Sequence, residues 1–363
     1  MEDFPGQPAL EALLTTARAQ NISDIHLTSG APMMTRRFCR FQQAGPQELS
    51  HDQLTRIIKR GVPPEFLKQA MEVGDVEYVH EIPGSGRYRV TIMRHRMGWS
   101  LTARIIDSRI RTMDAAGMPS ACAGLTRWAQ GLVIVTGPSG SGKTSTLASM
   151  VEMINQTRAD HVITIEKPIE VIFKSRKCQI SQREVGYHTA STQDALRAAL
   201  REDPDVIVVN ELRDLETFRL AVTASETGHL VFATMNSRDS AQALTTLIGS
   251  FPSDEQPLIR DMVAQSLRGV ISQVLIPRMD GSGAVPAYEV MLINSAVANL
   301  IRYNRTRQLG NVIGMGKAEG MLLLEHSTQE LVDRKIISAA DAQLFSPPMS
   351  MFSMGFLTRG AGA

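Results

Sequence analysis

Lys143 and Thr144 close the run Gly137-Pro138-Ser139-Gly140-Ser141-Gly142-Lys143-Thr144, which satisfies G-x-x-x-x-G-K-[ST] in full. A lysine and a hydroxyl at that spacing suit a polyphosphate and its metal ion. The ammonium reaches the outer phosphates, and the hydroxyl ligates Mg²⁺. The glycines let the backbone curl with its N–H groups inward, a nest closed by the helix N-terminus that carries Ser145. Glu166, Glu211 and Asn236 each end an apolar run further along. Hydrolysis of a terminal phosphate needs a metal, a charge clamp and a group that orients or deprotonates water. Glu211, at the end of Asp205-Val-Ile-Val-Val-Asn210, is the candidate base. Asn236 is a candidate sensor of the terminal phosphate, and unlike histidine it cannot change charge near neutral pH. Lys167 is discordant. It follows Glu166 where a second acid is expected, and a cation beside a metal ion weakens metal binding or slows turnover.

These groups need a scaffold that brings strand ends together. Leu132-Val-Ile-Val135 runs into the loop and Ser145-Thr-Leu-Ala-Ser-Met150 runs out as a helix. Beyond it, His161–Glu170 reads as a buried strand ending in charged residues, Cys178-Gln-Ile-Ser-Gln182 as a short strand, and Ser191-Thr-Gln-Asp194 as the capped start of a helix. Asp205–Glu211 and His229–Asn236 are further strands separated by a helix over 215–227. Helices and strands alternating after such a loop predict an α/β fold with a mainly parallel sheet covered on both faces. Ligands of such sheets lie beyond the carboxyl ends of the strands, which places Glu166, Glu211 and Asn236 around the phosphates. A helix capped by Ser253 and reaching Gly269, a strand Val270–Ile276 and a strand Ala287–Ile293 continue the sheet or form an appendage, and 295–345 reads as short helical pieces.

Ahead of the loop, the pattern is that of a small α+β module. Residues 8–20 read as an amphipathic helix, Asn21–Thr28 as a half-buried strand, Pro32–Arg40 as an edge strand, and 75–106 as antiparallel strands. His26 reads as a satisfied histidine, not a catalyst. Arg87, Arg89, Arg94, Arg96, Arg104, Arg109 and Arg111 fall in or after these strands. Most read as solvated arginines, with one or two able to reach a phosphate as an arginine finger. The expected organisation is a first domain over 1–108, a connector over 109–130, the nucleotide domain over 131–345 and a disordered tail over 346–363.

The chain has 363 residues, 43% hydrophobic and 21% charged, with a formal net charge of +1. Neither nucleic acid nor a membrane surface is called for by that balance. Cys39, Cys122 and Cys178 are far apart and fit a reducing cytoplasm better than a disulfide framework or a zinc site. The start Met1-Glu-Asp-Phe-Pro-Gly6 lacks the apolar core of a signal peptide, and no run reaches the length of a membrane span. Direct membrane insertion is therefore not expected.

Together with the loop, a set of motifs resembles the PilT family of type IV pilus retraction ATPases, within the secretion ATPase superfamily, over residues 9–345. They are Ser23-Asp-Ile-His26, Gly86-Arg-Tyr-Arg-Val90, Thr164–Glu170, Ser181-Gln-Arg-Glu-Val185, Ala195–Asp205, Glu211-Leu-Arg-Asp-Leu-Glu-Thr217, Glu226–Phe232, Ser266–Gln273 and Asn299-Leu-Ile-Arg302. The resemblance implies a small PAS-like domain followed by a RecA-like P-loop domain. It implies ATP and Mg²⁺ as cofactors, a homohexamer or a mixed hexamer with a paralogous ATPase, and work in the cytoplasm against an inner-membrane pilus platform protein. It implies that Lys143 and Thr144 bind phosphate and Mg²⁺, that Glu211 is the catalytic glutamate, that Arg89 and Arg104 are arginine fingers, and that His229 opens a His box.

The chain departs from that pattern at four places. The Asp box reads Glu166-Lys167-Pro168, the second His-box position is Asn236, Asn210 precedes the catalytic glutamate, and Ala296–Tyr303 differs from the retraction motif. Two functions follow: a motor with slowed turnover, or a regulatory paralogue that binds ATP and leaves hydrolysis to an intact partner. The extension and secretion branch is disfavoured, because its long N-terminal domain and cysteine metal motif are not seen.

Overall fold

The structure, a computed structural model, describes residues 9–38, 40–107 and 109–345. They divide into two units: residues up to 109 joined by Pro168–Ile172, and residues 110–167 with 173 onward.

The first unit runs α1 (Ala9–Ala19), β1 (Asp24–Thr28), β2 (Pro32–Arg37), β3 (Arg40–Glu48), α2 (His51–Gly61), α3 (Pro64–Val73), β4 (Asp75–Ile82), β5 (Gly86–His95) and β6 (Gly98–Ile105). In α1 the residues at helical spacing, Leu10, Leu14 and Ala17, are buried. A capping box between Ser50 and Gln53 starts α2, and Gly74 in the left-handed region ends α3. The strands form one sheet in the order β3-β2-β1-β6-β5-β4. Alternation sends Tyr88, Val90 and Ile92 of β5 to the helix-covered core together with Leu101 and Ala103 of β6. The opposite face carries a row of cross-strand neighbours, Arg36, Asp24, Arg104 and Arg89.

The edge strand expected over 32–40 is two strands. The chain reverses between Arg37 and Arg40, with Phe38 at φ +50°. No glycine or asparagine marks that turn, which is why the sequence reads through it.

The second unit runs α4 (Ala121–Leu125), β7 (Gly131–Thr136), α5 (Lys143–Thr157), β8 (His161–Glu166), β9 (Gln179–Glu184), α6 (Thr192–Ala199), β10 (Val206–Val209), α7 (Leu215–Glu226), β11 (Leu230–Met235), α8 (Ser240–Gly249), α9 (Gln256–Ser266), β12 (Leu267–Pro277), β13 (Ala284–Leu292), α10 (Ser295–Arg302), α11 (Leu309–Met315), α12 (Leu324–Asp333) and α13 (Ala339–Phe345). Its seven strands lie in the order β13-β12-β7-β11-β10-β8-β9. All neighbours are parallel except β12 and β13. This is the mainly parallel, doubly covered α/β sheet the sequence predicts, and β12 and β13 continue it.

Both faces of that sheet are buried, so its strands are apolar without interruption. Leu132 and Ile134 pack with α6 to α9 on one face, and Val133 and Val135 pack with α4 and α5 on the other. Phe232 is fully buried, and truncating it to alanine costs about 3–5 kcal/mol.

Two helix ends differ from expectation. α9 begins at Gln256 after Glu255, with no side-chain cap, and ends at Ser266 because β12 follows at once. The tail expected over 346–363 lies outside the described residues, as does Cys39. Cys122 and Cys178 are free and buried, and burial pushes the Cys122 thiol up to about 12. Among the described residues, no helix is long and apolar enough to cross a membrane.

Candidate nucleotide site

β7 delivers the chain to Gly137 at φ +148°, where a Cβ would run into the Gln273 backbone carbonyl. Gly142, at φ +91°, is the residue before α5. Side chains at these two positions would strain the backbone or fill the cradle. Lys143 opens α5, and Thr144 is half-buried beside it. Pro138, Ser139, Gly140 and Ser145 are exposed, while Ser141 is buried.

The Lys143 ammonium has three donors, and the structure gives it three acceptors. Nζ donates to Gly137 O at 2.8 Å, to Pro138 O at 3.0 Å and to Asn236 Oδ1 at 2.8 Å. Burial holds the Lys143 ammonium below the usual lysine range, and the Glu211 charge works against that shift.

Asn236 then passes the contact on. Its Nδ2 donates to Glu211 Oε1 at 2.5 Å, and Arg213 Nη2 donates to Glu211 Oε2 at 2.5 Å. Backbone pairing brings these residues together. Leu212 N–H donates to Thr234 O at 2.9 Å, which ties the segment after β10 to β11. The Thr136 hydroxyl lies 2.9 Å from Ser237 O and accepts from Ser237 N–H at 2.9 Å. The ends of β7 and β11 are thereby pinned on either side of Asn236.

Glu166 ends β8 and is 7% exposed. Its Oε1 accepts from Thr164 Oγ1 at 2.6 Å and from Gln182 Nε2 at 3.0 Å, bonds directed along β8 and toward β9. Lys167 is exposed.

His229 stands apart from this cluster. It precedes β11, at the opposite end from Asn236, and the six residues of that strand separate the two by about 20 Å. Its Nδ1 lies 3.0 Å from Ala224 O, and its own carbonyl accepts from Gly131 N–H at 3.0 Å. Within one chain it is not part of the Lys143 cluster. The motif spacing that ties it to Asn236 spans the strand from end to end.

Arg89 and Arg104 are cross-strand neighbours in the first unit. Arg89 pairs with Glu77, and with Glu170 at 3.3 Å; Arg104 pairs with the buried Asp24 at 2.7 Å. Each is held by a carboxylate of its own unit and must exchange that partner to act elsewhere.

Sequence reasoning passed over two residues of the cluster. Arg213 lies two positions after Glu211 and was legible only as part of a motif, and Thr136 looks like one more strand residue. The chemistry available here is a phosphate cradle, a lysine, a carboxylate and an amide, all at the carboxyl edge of a parallel sheet.

The family model described as type II/IV secretion system protein matches residues 78–343. The chain belongs to that family. It is a P-loop ATPase of the PilT type. It is 39% identical over 331 residues to the type IV pilus retractation ATPase PilT of Pseudomonas aeruginosa, covering 91% of this chain and 96% of that protein. It is 31% identical over 332 residues to the type IV pilus ATPase PilU of the same organism, covering 92% of this chain and 87% of that one. A crystal structure of the pilus retraction motor PilT with bound ADP superposes with a TM-score of 0.81 at 36% identity, covering 96% of this chain and 99% of that chain. An ATPase of this family binds nucleotide, and in this chain residues 137–145 have the form of its phosphate loop.

Proposed function

We propose that this chain is an ATP-driven motor of a type IV pilus machine, working in retraction and hence twitching motility, with slowed turnover. The observation that carries this reading is the continuous contact Lys143–Asn236–Glu211, which links the phosphate-gripping lysine to the candidate base. Likeness to proteins named for pilus retraction over nearly the whole chain supports the biological setting.

In this reading ATP is held by Gly137 to Ser145, with Lys143 turned from the loop carbonyls to the outer phosphates. The glycine positions that a Cβ would fill and the half-buried Thr144 in the first turn of α5 fit a Mg²⁺-nucleotide. Thr144 would hold the ion, which neutralises phosphate charge when bound. Glu211 positions and deprotonates water, and Asn236 hydrogen-bonds the terminal phosphate where a histidine would otherwise stand. Arg89 and Arg104 act as arginine fingers once released from Glu77, Glu170 and Asp24. Glu166 completes the acidic side of the site without the second carboxylate that Lys167 replaces. The assembly is a hexamer of this chain or a mixed ring with a paralogue, in the cytoplasm against an inner-membrane platform protein.

Cells carrying Glu211→Gln in place of the wild-type chain test this function. Retraction slows along with ATP turnover if the chain is a motor. Unchanged retraction together with unchanged turnover rules the motor out. The replacements at Lys167 and Asn236 favour the second reading, an ATP-binding regulatory paralogue, if turnover is already at background in the wild type.

A further inference from the structure

β12 runs beside β7 with Ser272 opposite Thr136, so the next residues on the two strands' paths are Gln273 and Gly137. Their backbones approach so closely that no side chain fits at Gly137. Alternation turns the Gln273 side chain to the face of Ile271, which α5 covers, with Tyr288 of β13 as its cross-strand neighbour. Gln273, Ser141 and Thr146 are each 2% exposed.

Both ends of the Gln273 amide are paired. Nε2 donates to Ser141 O at 2.6 Å, and Oε1 accepts from the Thr146 hydroxyl at 2.6 Å. The partners fix which atom is nitrogen and which is oxygen, since a carbonyl can only accept. A buried amide is tolerated in such a layer only when it is satisfied in this way. The consequence lies in the loop. Ser141 C=O and Gly142 N–H belong to one planar trans peptide and point in opposite directions. Holding the carbonyl against Gln273 aims the Gly142 N–H away from β12, toward the side on which the loop's N–H groups gather around phosphate. The Thr146 bond fixes the first turn of α5 to the same amide, so loop and helix keep one relative orientation.

We propose that Gln273 is a positioning residue for nucleotide binding: its buried amide sets the direction of the Ser141–Gly142 peptide and locks the phosphate loop to α5. It touches no phosphate and acts through the loop. The inference rests on the nucleotide reading of residues 137–145.

The test is binding of a fluorescent ADP analogue to the full chain and its variants. Gln273→Glu keeps the size and the acceptor for Thr146, but at neutral pH it sets a carboxylate oxygen against the Ser141 carbonyl. Relative to wild type, ADP affinity falls about tenfold at about pH 8. A carboxyl buried beside a carbonyl holds its proton above the ordinary range, and its O–H then donates to Ser141. Affinity therefore recovers toward wild type as pH falls to about 6. Lys143 on α5 and Tyr288 on β13 are titratable neighbours, Cys122 of α4 and Arg111 face Tyr288, and every variant shares these groups with the wild-type control. Thr146→Val weakens binding severalfold, whereas Thr146→Ser, which keeps the hydroxyl, binds like wild type. The Thr146 pair decides the matter if Gln273→Glu does not fold. Binding by Gln273→Glu and Thr146→Val within about twofold of wild type overturns the proposal. So does weak binding that neither low pH nor Thr146→Ser restores, because general loss of packing then accounts for it. Failure of the wild-type chain itself to bind ADP overturns the nucleotide reading instead.

Discussion

Asn236 bridges Lys143 and Glu211: its amide oxygen accepts from the ammonium at 2.8 Å and its amide nitrogen donates to the carboxylate at 2.5 Å. An amide suits this position because its two ends have opposite polarity, one for a cation and one for an anion. Nucleotide must displace the bridge, since Lys143 cannot reach a phosphate while all three of its donors are taken by the loop and Asn236.

Asn236→Leu removes both ends of the bridge while keeping the size. ADP affinity changes by less than about threefold, because the loop and Lys143 remain, but kcat falls about tenfold or more as the terminal phosphate loses its partner. Equilibrium ADP binding and steady-state turnover separate the two effects. A large loss of ADP affinity with kcat unchanged would place Asn236 outside the hydrolytic step.

Lys167→Asp combined with Asn236→His restores two of the four places at which this chain departs from the family pattern. Turnover rises in the double variant, and more than the sum of the single effects if both groups face the same nucleotide. No gain from the pair would mean that another step limits the rate.

Arg89→Ala and Arg104→Ala test the fingers. Each lowers turnover by about 10³-fold if it meets a transferring phosphate, with ADP affinity little altered. Arg104→Ala also strips the buried Asp24 carboxylate of its guanidinium partner, although the Ser23 hydroxyl still donates to it at 2.8 Å, so thermal stability drops in that variant. A stability loss without a turnover loss would make Arg104 purely structural.

Glu289 gives a pH signature. It is buried on β13, where burial holds its carboxyl above the usual carboxylate range although Ser240 donates to it from both its N–H, at 2.9 Å, and its hydroxyl, at 2.6 Å. A folded value raised above the unfolded one contributes stability that is present below the unfolded pKa and lost as pH rises through the folded one. Glu289→Gln keeps an acceptor for Ser240 and has no such dependence. Its melting temperature relative to wild type therefore climbs as pH rises from about 4 to about 7. A constant difference across that range would contradict the assignment.

Much of this was readable before any coordinates. The phosphate loop, the apolar runs that end in Glu211 and Asn236, and their meeting at one sheet edge all follow from residue type and alternation, because a strand buried on both faces has no other composition. The convergence was less complete at Glu166, whose bonds run to Thr164 and Gln182, and periodicity cannot tell which way a strand-end carboxylate turns. Position along a strand is lost in a motif, so His229 and Asn236 looked like companions although β11 separates them. α8 escaped notice despite a signal: Asp239 accepts from Gln242 N–H at 2.7 Å, an N-cap that the spacing of the two residues advertises. The β2–β3 turn gave no such signal, since Phe38 is not a residue that favours positive φ.

The most direct test of the central claim is steady-state ATP turnover of the purified chain beside Glu211→Gln. A chain that hydrolyses ATP with Glu211 as its base turns over at a measurable rate, and the variant loses about 10²-fold or more of it while still binding ADP. Equal rates for the two proteins would contradict the account.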